Sequence, residues 1–221
     1  MAGPDQPQTL AEFNADGALR EVAEEAASSA HTRSAFFKRG GLLAAGGVAV
    51  GAIPAGFAIA QGGLPKGDID ILNYALTLEY LEAAFYKKAS AGKLSGEAAK
   101  FASTVGAHEQ AHVEALKKVL GSKAVASPKF SFGDATSEAK FLATAQVLET
   151  TGVSAYQGQA TEIKTPAVLA SAGAILAVEA RHAAWVTAII GKGLPAPAAF
   201  STAKSMKDIL AAVKGTGFIK G

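Results

Sequence analysis

The sequence predicts an all-α fold, an antiparallel four-helix bundle of two hairpins with a long crossover between helices 2 and 3 and a short fifth helix. Three observations support this prediction. Apolar residues make up 49% of the 221 residues, and strand formers are sparse. Several segments rich in Ala, Leu, Glu and Lys run for more than about 20 residues, as the helices of a bundle do. Capping residues mark the ends of four such segments, and one long linker divides them into two pairs.

Capping residues set the expected ends of the helices. Ser95 is a good N-cap for the second helix, and Thr165-Pro166 opens the fourth with a cap residue followed by proline at the first helical position. Gly92 and Gly191 end the first and fourth helices, because glycine readily adopts the left-handed conformation that closes a helix. The five helices are expected at residues 68–91, 95–121, 137–161, 165–191 and 205–213.

The connections between the helices indicate the topology. Only a few residues join helices 1 and 2, or helices 3 and 4, and such short links make antiparallel hairpins. Residues 122–136 separate helices 2 and 3 and include Pro128 and Gly133. A helix of about 25 residues is about 37 Å long, whereas about fifteen extended residues reach about 50 Å. The linker can therefore run the length of the bundle and start helix 3 parallel to helix 2.

A Glu-x-x-His motif occurs on helix 2 and again on helix 4. The first copy runs from Glu109 to His112, and the second from Glu179 to His182. Residues three apart on a helix project from the same face, so the carboxylate and the imidazole of each motif can bind one metal ion. Cysteine is absent, which leaves His and carboxylate as the strong metal ligands. The two motifs are therefore candidate halves of one metal site.

The two halves of the bundle share an internal repeat of 70 residues. Helix 1 contains Glu79 and Tyr86, seven residues apart, and helix 3 contains Glu149 and Tyr156 at the same spacing. Seven residues are about two helical turns, so each Tyr lies on the same face as its Glu. Such a repeat indicates duplication of one helical hairpin. Two hairpins around a pseudo-twofold axis would bring together the following candidate ligands: Glu79, Glu109, His112, Glu149, Glu179 and His182.

Glu82 lies close to this set but falls outside the repeat. The position related to it by 70 residues is Gly152. A single Glu on an Ala-rich helix is usually solvated. We therefore expect Glu82 to lie outside the site.

An alternative interpretation of helix 2 is a zinc protease. His108 to His112 reads as His-Glu-x-x-His, in which the two His bind zinc and Glu109 is the general base. The position related to His108 is Val178, so the repeat argues against this interpretation. We expect His108 to lie on the helix surface or behind a metal ligand.

The whole pattern resembles the ferritin-like di-iron and di-manganese carboxylate proteins, in which two helices each give one Glu and two others each give Glu-x-x-His. Residues 70–76 (DILNYAL) and 78–83 (LEYLEA) are similar to the first helix of the exported bacterial ferritin-like family that includes desiccation-related proteins. The resemblance covers about residues 67–191. It implies a ferritin-like bundle.

The resemblance also implies a cofactor of two Fe or two Mn ions. Terminal carboxylates would come from Glu79 and Glu149, one nitrogen each from His112 and His182, and bridging carboxylates from Glu109 and Glu179. Tyr86 and Tyr156 are the candidate catalytic residues, because they would hydrogen bond to the ligands or relay an electron.

The charge of this set favours metal binding. Four carboxylates that face one another in an apolar core repel and lose their hydration, and two divalent cations would cancel them. Two ions about 3.5–4 Å apart can react with O2 or peroxide. We therefore expect redox chemistry with O2 or hydrogen peroxide, of the ferroxidase, peroxidase or catalase type. The alternative is a non-catalytic metal-binding stress or envelope protein.

Residues 32–60 resemble an export signal. The stretch from Thr32 through Arg33 to Lys38 resembles the twin-arginine motif, although Ser34 stands where that motif has its second arginine. Residues 40–60 carry no charge and close with Ala-Ile-Ala, a small-x-small pattern that suits signal peptidase. A weakly hydrophobic, Gly-rich core fits the twin-arginine route for folded, cofactor-loaded proteins.

This signal divides the chain into three regions. Residues 1–31 are expected to be a polar extension, residues 32–60 the signal, and residues 61–221 the ferritin-like bundle domain, with Gln61 as the new N-terminus. An uncleaved membrane anchor is the alternative, since about 20 apolar residues span a bilayer. Both interpretations place the domain outside the cytoplasm, in the periplasm or cell envelope.

Charge also bears on the partners. The net charge is +2, and Lys and Arg form no basic stripe, so nucleic acid is not an expected partner. The expected small-molecule partner is O2 or peroxide. The sequence leaves the oligomeric state open, including a homo-oligomer.

Overall fold

The computed structural model of the chain describes residues 63–220. The predicted polar extension and export signal lie outside the described residues. The described part is almost entirely helical, which confirms the predicted all-α class. Its helices are α1 (Lys66–Ser90), α2 (Gly96–Leu120), α3 (Phe141–Ala160), α4 (Pro166–Ile190) and α5 (Met206–Thr216).

The four long helices form two hairpins, as the sequence predicted. α1 packs along α2, and α3 packs along α4, while contacts of α1 with α3 and of α2 with α4 join the hairpins. Thr165 is extended before α4, and Pro166 takes the first helical position. Gly191 ends α4 with a φ of 68°, a left-handed conformation that glycine adopts without strain.

α3 begins at Phe141, later than the predicted start near Ser137. Residues 134–140 form tight turns instead, in which the Ser137 N–H donates to the Asp134 carbonyl (2.9 Å) and the Lys140 N–H donates to the Ser137 carbonyl (3.0 Å). The Lys140 ammonium also binds the Asp134 carboxylate at 2.6 Å. These local bonds give the backbone an alternative to the helix, so the predicted start was wrong.

The loop inside each hairpin is held by the other hairpin. Asp68 in the first turn of α1 accepts the N–H groups of Lys164 and Thr165, each at 2.9 Å. The Ser95 hydroxyl, at the N-cap position of α2, donates to Glu138 at 2.6 Å and makes no capping bond of its own. Asp68 and Glu138 are repeat-related, as are Ser95 and Thr165. The 70-residue repeat therefore extends to the ends of the hairpins.

Residues near the C-terminus pair with the long crossover and fix its position. Strand β1 (Lys129–Phe130) pairs antiparallel with β2 (Ile219–Lys220), and the Ser131 N–H donates to the Phe218 carbonyl at 2.9 Å. The Phe132 ring then packs edge-on against Phe218, with ring centroids 5.3 Å apart. The sequence did not predict these strands, because two-residue strands have no period to recognise.

Two apolar clusters fill the core of the bundle. One is aromatic and includes Phe85, Phe101 and Phe141, and the other is aliphatic and includes Leu76 and Leu116. Along α1, Leu76 belongs to one cluster and Phe85 to the other. The candidate ligand Glu79 comes between them in the chain, which places it at the junction of the two clusters.

α4 is the most apolar of the long helices. By length and composition alone it could cross a membrane. In the described part of the chain it packs along α3 and carries the buried residues Glu179 and His182. Its apolar character therefore has an explanation within the bundle.

Candidate metal centre

The structure brings all six predicted ligands together inside the bundle. α1 and α3 each contribute one Glu, and α2 and α4 each contribute a Glu-x-x-His pair. All four carboxylate residues have no solvent exposure, and His182 is 3% exposed. The His112 side chain is 11% exposed. The residues in this site are Glu79, Glu109, His112, Glu149, Glu179 and His182.

The six residues form two overlapping ligand groups. The first is Glu79, Glu109, His112 and Glu179, and the second is Glu109, Glu149, Glu179 and His182. Within each group the ligand atoms lie within 4.8 Å of one another. Glu109 and Glu179 occur in both groups, whereas each of the other residues occurs in one.

The two candidate catalytic tyrosines hydrogen bond across the hairpins. The Tyr156 hydroxyl on α3 donates to Glu79 on α1 at 2.5 Å. The Tyr86 hydroxyl on α1 donates to Glu149 on α3. Each Tyr hydroxyl is therefore hydrogen bonded to the terminal Glu of the other hairpin. That Glu lies between the Tyr hydroxyl and the candidate metal position.

His112 points its Nδ1 atom at three carboxylates. This atom lies 3.2 Å from Glu79, 3.1 Å from Glu109 and 3.4 Å from Glu179. In the second group the Nδ1 atom of His182 points at two carboxylates and lies 3.1 Å from an oxygen of Glu109 and 3.1 Å from an oxygen of Glu149. Both imidazoles thus present the same nitrogen to the carboxylates.

His108 lies behind His182. Its Nδ1 atom is 2.9 Å from the Nε2 atom of His182, the ring nitrogen that faces away from the carboxylates. The two rings stack with centroids 5.2 Å apart. His108 belongs to neither ligand group, so the geometry gives no support to a zinc protease, which needs His108 and His112 on one ion.

Comparison with known families decides the family of this chain. Residues 67–192, more than half of the chain, match the family model described as ferritin-like domain. This chain belongs to the ferritin-like domain family. The matched region contains all six site residues and ends before α5. No curated protein matches the sequence.

The ferritin-like site brings carboxylates together in an apolar interior, and this environment shifts their pKa values. Burial raises the pKa of Glu79 to about 7, although the neighbouring His112 opposes the shift. Burial also raises the pKa of Glu149, and burial together with the charge of Glu109 raises the pKa of Glu179. Protons therefore compete with cations for these oxygens, and metal binding would release them.

The imidazoles carry positive charge into the ferritin-like site. Burial lowers the pKa of His182, but its hydrogen bonds to Glu109 and Glu149 outweigh burial and raise that pKa to about 10. The pKa of His112 is raised in the same way, against burial, mainly by the charge of Glu79. Burial opposes ionisation of Glu109, but hydrogen bonds from both imidazoles hold its pKa below the usual range. Two imidazolium ions thus offset part of the carboxylate charge, as bound metal ions would.

Glu179 shows that the site suits a cation. Neither of its carboxylate oxygens accepts a well-formed hydrogen bond from any described residue, although both are buried. The Nδ1 atom of His112 at 3.4 Å is the nearby donor. Buried polar atoms without partners are costly, and a divalent cation would satisfy both oxygens. The oxygen and nitrogen donors present are those that Fe and Mn accept.

The prediction that Glu82 is solvated was wrong. The residue was expected to be solvated, but it is 3% exposed and lies inside the bundle. Burial, followed by the charges of Glu179 and Glu149, raises its pKa well above the usual range. A Cβ atom at Gly152 would come within 2.6 Å of Glu179 Oε2 and 3.6 Å of Glu82 Oε1. The clash of such a Cβ would be with Glu179, whereas its distance from Glu82 is an ordinary contact. Gly152 is therefore no reason to exclude Glu82, and the Glu79-x-x-Glu82 spacing was the signal that could have revealed its burial.

Proposed function

We propose that this ferritin-like protein holds two Fe or two Mn ions and reduces O2 or hydrogen peroxide. The observation that carries the proposal is the pair of overlapping ligand groups that share Glu109 and Glu179. Two such ions, about 3.5–4 Å apart, would supply the electrons that reduce the oxidant. Export to the periplasm or cell envelope, and kinship with the desiccation-related subtype, belong to the same proposal.

The ligands divide evenly between the two ions. Glu79 and His112 would bind one ion, and Glu149 and His182 the other. Both ions would share the carboxylates of the two Glu-x-x-His motifs. Four carboxylates offset the charge of two divalent cations, so the complete site would be close to neutral in an interior that does not tolerate net charge.

The tyrosines supply a protonated hydroxyl beside each terminal Glu. Burial raises the pKa of Tyr86 and of Tyr156 well above the usual range, and the charge of the Glu that each one contacts adds to the effect. Each phenol therefore keeps its proton, and its hydrogen bond fixes the orientation of Glu149 or Glu79. A phenol in this place can also give one electron and one proton to the site, and an external reductant would then restore it; this is the catalytic role that we propose for both.

An apolar cavity supports O2 as a substrate. Residues from all four long helices line it, including Ile71, Leu72, Leu116 and Ile175. Tyr156 forms part of its wall and also hydrogen bonds to Glu79. O2 is apolar and would partition into such a space, which adjoins a residue that contacts the site.

Anaerobic loading with Fe(II), followed by exposure to O2 or to peroxide, tests the redox proposal. One oxidation per site, seen as the absorption of oxidised iron, is the expected result without a reductant; with excess Fe(II) or ascorbate present, consumption of oxidant over many turnovers is expected. Two bound ions per chain without oxidant consumption would overturn the enzyme and favour the metal-binding stress or envelope protein. Metal analysis of protein purified from its native host would identify the ion.

Export is tested separately. N-terminal sequencing of the native protein should find a chain that begins near Gln61 in the periplasmic or envelope fraction. A chain that begins at Met1 or Ala2 in a soluble cytoplasmic fraction would overturn this part of the proposal.

A further inference from the structure

The two halves of the bundle differ at one buried position beside the site. Glu82 on α1 has Gly152 on α3 as its repeat-related counterpart. Both positions lie three residues after a candidate terminal ligand, Glu79 or Glu149, and so on the same helix face as that ligand. One half therefore places a fifth carboxylate near the site, and the other half places bare backbone there.

The Glu82 carboxylate lies over that bare backbone. Gly152 is the position where an added Cβ would meet both Glu179 Oε2, at 2.6 Å, and Glu82 Oε1, at 3.6 Å. The charges that act most strongly on Glu82 are those of Glu179 and Glu149. Glu82 thus reaches across from α1 to the α3 side of the site, toward the ion position that Glu149 and His182 define.

Glu82 has no partner of its own in the described part of the chain. It is 3% exposed, yet no Lys or Arg within residues 63–220 lies at ion-pair distance from it, and no described residue donates a hydrogen bond to it. Glu179 beside it also has two buried oxygens without a well-formed hydrogen bond. A buried carboxyl in such surroundings is stable either when it is protonated or when it binds a cation, so a cation can displace its proton.

We propose that Glu82, which lies outside both ligand groups in this structure, is a further metal ligand whose carboxylate turns toward the ion held by Glu149 and His182 when that ion binds. This inference rests on the proposed two-ion site. It makes the two ion positions unequal, because only one of them receives a fourth carboxylate ligand in addition to the shared pair and its terminal Glu. The same ion position differs from the other in a second way. His108 contacts His182 there, and the repeat-related position of His108 is Val178.

Anaerobic titration with Co(II), followed by calorimetry and by the visible absorption of the bound ions, tests the assignment. The wild-type protein should bind two Co(II) ions with unequal affinities. Glu82→Gln should weaken one of them by about 10–100-fold and change the intensity of its absorption, since a ligand is lost. Glu162→Gln removes an exposed carboxylate from the loop between α3 and α4 and should change neither reading.

A second variant keeps the test independent of folding defects. Glu82→Asp keeps a carboxylate at this position and should bind the affected ion more tightly than Glu82→Gln does, which a folding defect at residue 82 would not predict. Unchanged affinities and an unchanged spectrum in Glu82→Gln would overturn the assignment while leaving the two-ion site intact. A wild-type protein that binds fewer than two Co(II) ions would overturn the proposed function and this inference together.

Discussion

Tyr156 donates a hydrogen bond of 2.5 Å to Glu79, a carboxylate that lies 77 residues away on the other hairpin. Tyr86 repeats the contact with Glu149. Neither bond could form within a single hairpin, so the pair of bonds requires that the two copies of the repeat pack face to face. The same packing brings the two Glu-x-x-His motifs together, and the site and the fold are therefore consequences of one duplication.

Removing the tyrosine hydroxyls should slow the reaction without releasing the metal. Tyr86→Phe and Tyr156→Phe each take away the bond that orients a terminal Glu, and we expect oxidant consumption to fall by about 10–100-fold. Stopped-flow measurement on the Fe(II)-loaded protein checks this. Tyr80→Phe is the control, because the Tyr80 hydroxyl contacts only the Val125 carbonyl at 3.4 Å, away from the site. Rates equal to wild type in both variants would remove the tyrosines from the mechanism.

The stability of the metal-free protein should fall as pH rises. The pKa of Glu79 is raised from 4.5 to about 7, and that of His182 from 6.5 to about 10. In both cases the folded state binds more protons than the unfolded state between the two values, so stability declines as pH rises through each interval. The contribution of His182 is complete below its unfolded pKa and is lost through its folded pKa.

Thermal unfolding in the presence of a chelator checks this dependence. The Tm should decrease steadily from about pH 5 to about pH 10. Adding Mn(II) should raise the Tm, and should raise it more at pH 8 than at pH 6, because the ion then competes with fewer protons. A metal-free Tm that rises across this interval would contradict the ionisation described for Glu79 and His182.

Asp68→Asn should loosen the contact between the hairpins. The carboxylate accepts two backbone N–H groups, from Lys164 and Thr165, and an amide offers only one acceptor oxygen. We expect a loss of about 1–3 kcal/mol of unfolding free energy at pH 7, measured by urea denaturation. Asp70→Asn is the control, because the 57%-exposed Asp70 side chain pairs only with exposed Lys66 and should change stability by less than about 1 kcal/mol.

The effect of Asp68→Asn should also depend on pH. Burial raises the pKa of Asp68, but the N–H groups of Lys164 and Thr165 outweigh burial, so the pKa lies below its ordinary value of 3.8. A lowered carboxyl pKa stabilises the fold above the unfolded value, and the benefit is lost as pH falls through the folded value. The difference between wild type and variant should therefore shrink in strong acid. A difference that grows there would contradict the assigned hydrogen bonds.

Much of this fold and site follows from sequence because the signals are local and repeated. Glu109 and His112 share a helix face by spacing alone, and a second copy of the motif at Glu179 makes coincidence a poor explanation. The ends of α4 follow from Pro166 and Gly191, whose backbone preferences are intrinsic.

The features that the sequence did not predict depend on contacts between distant segments of the chain. The burial of Glu82 depends on how α1 packs against the other helices, and no pattern along α1 reports it. The two-residue strands form only because the C-terminus reaches the crossover. The late start of α3 reflects the Asp134–Lys140 ion pair, which competes with a helical turn whose residues favour helix.

The proposed function requires that one chain binds two ions through carboxylates that both ions share. Anaerobic titration with Mn(II), read by calorimetry and by native mass spectrometry, tests it most directly. We expect two ions per wild-type chain and none at comparable concentration in the double variant Glu109→Gln/Glu179→Gln. The control double variant Glu97→Gln/Glu162→Gln removes two exposed carboxylates and should still bind two. A wild-type chain that binds one ion or none, or a Glu109→Gln/Glu179→Gln protein that still binds two, would contradict the account.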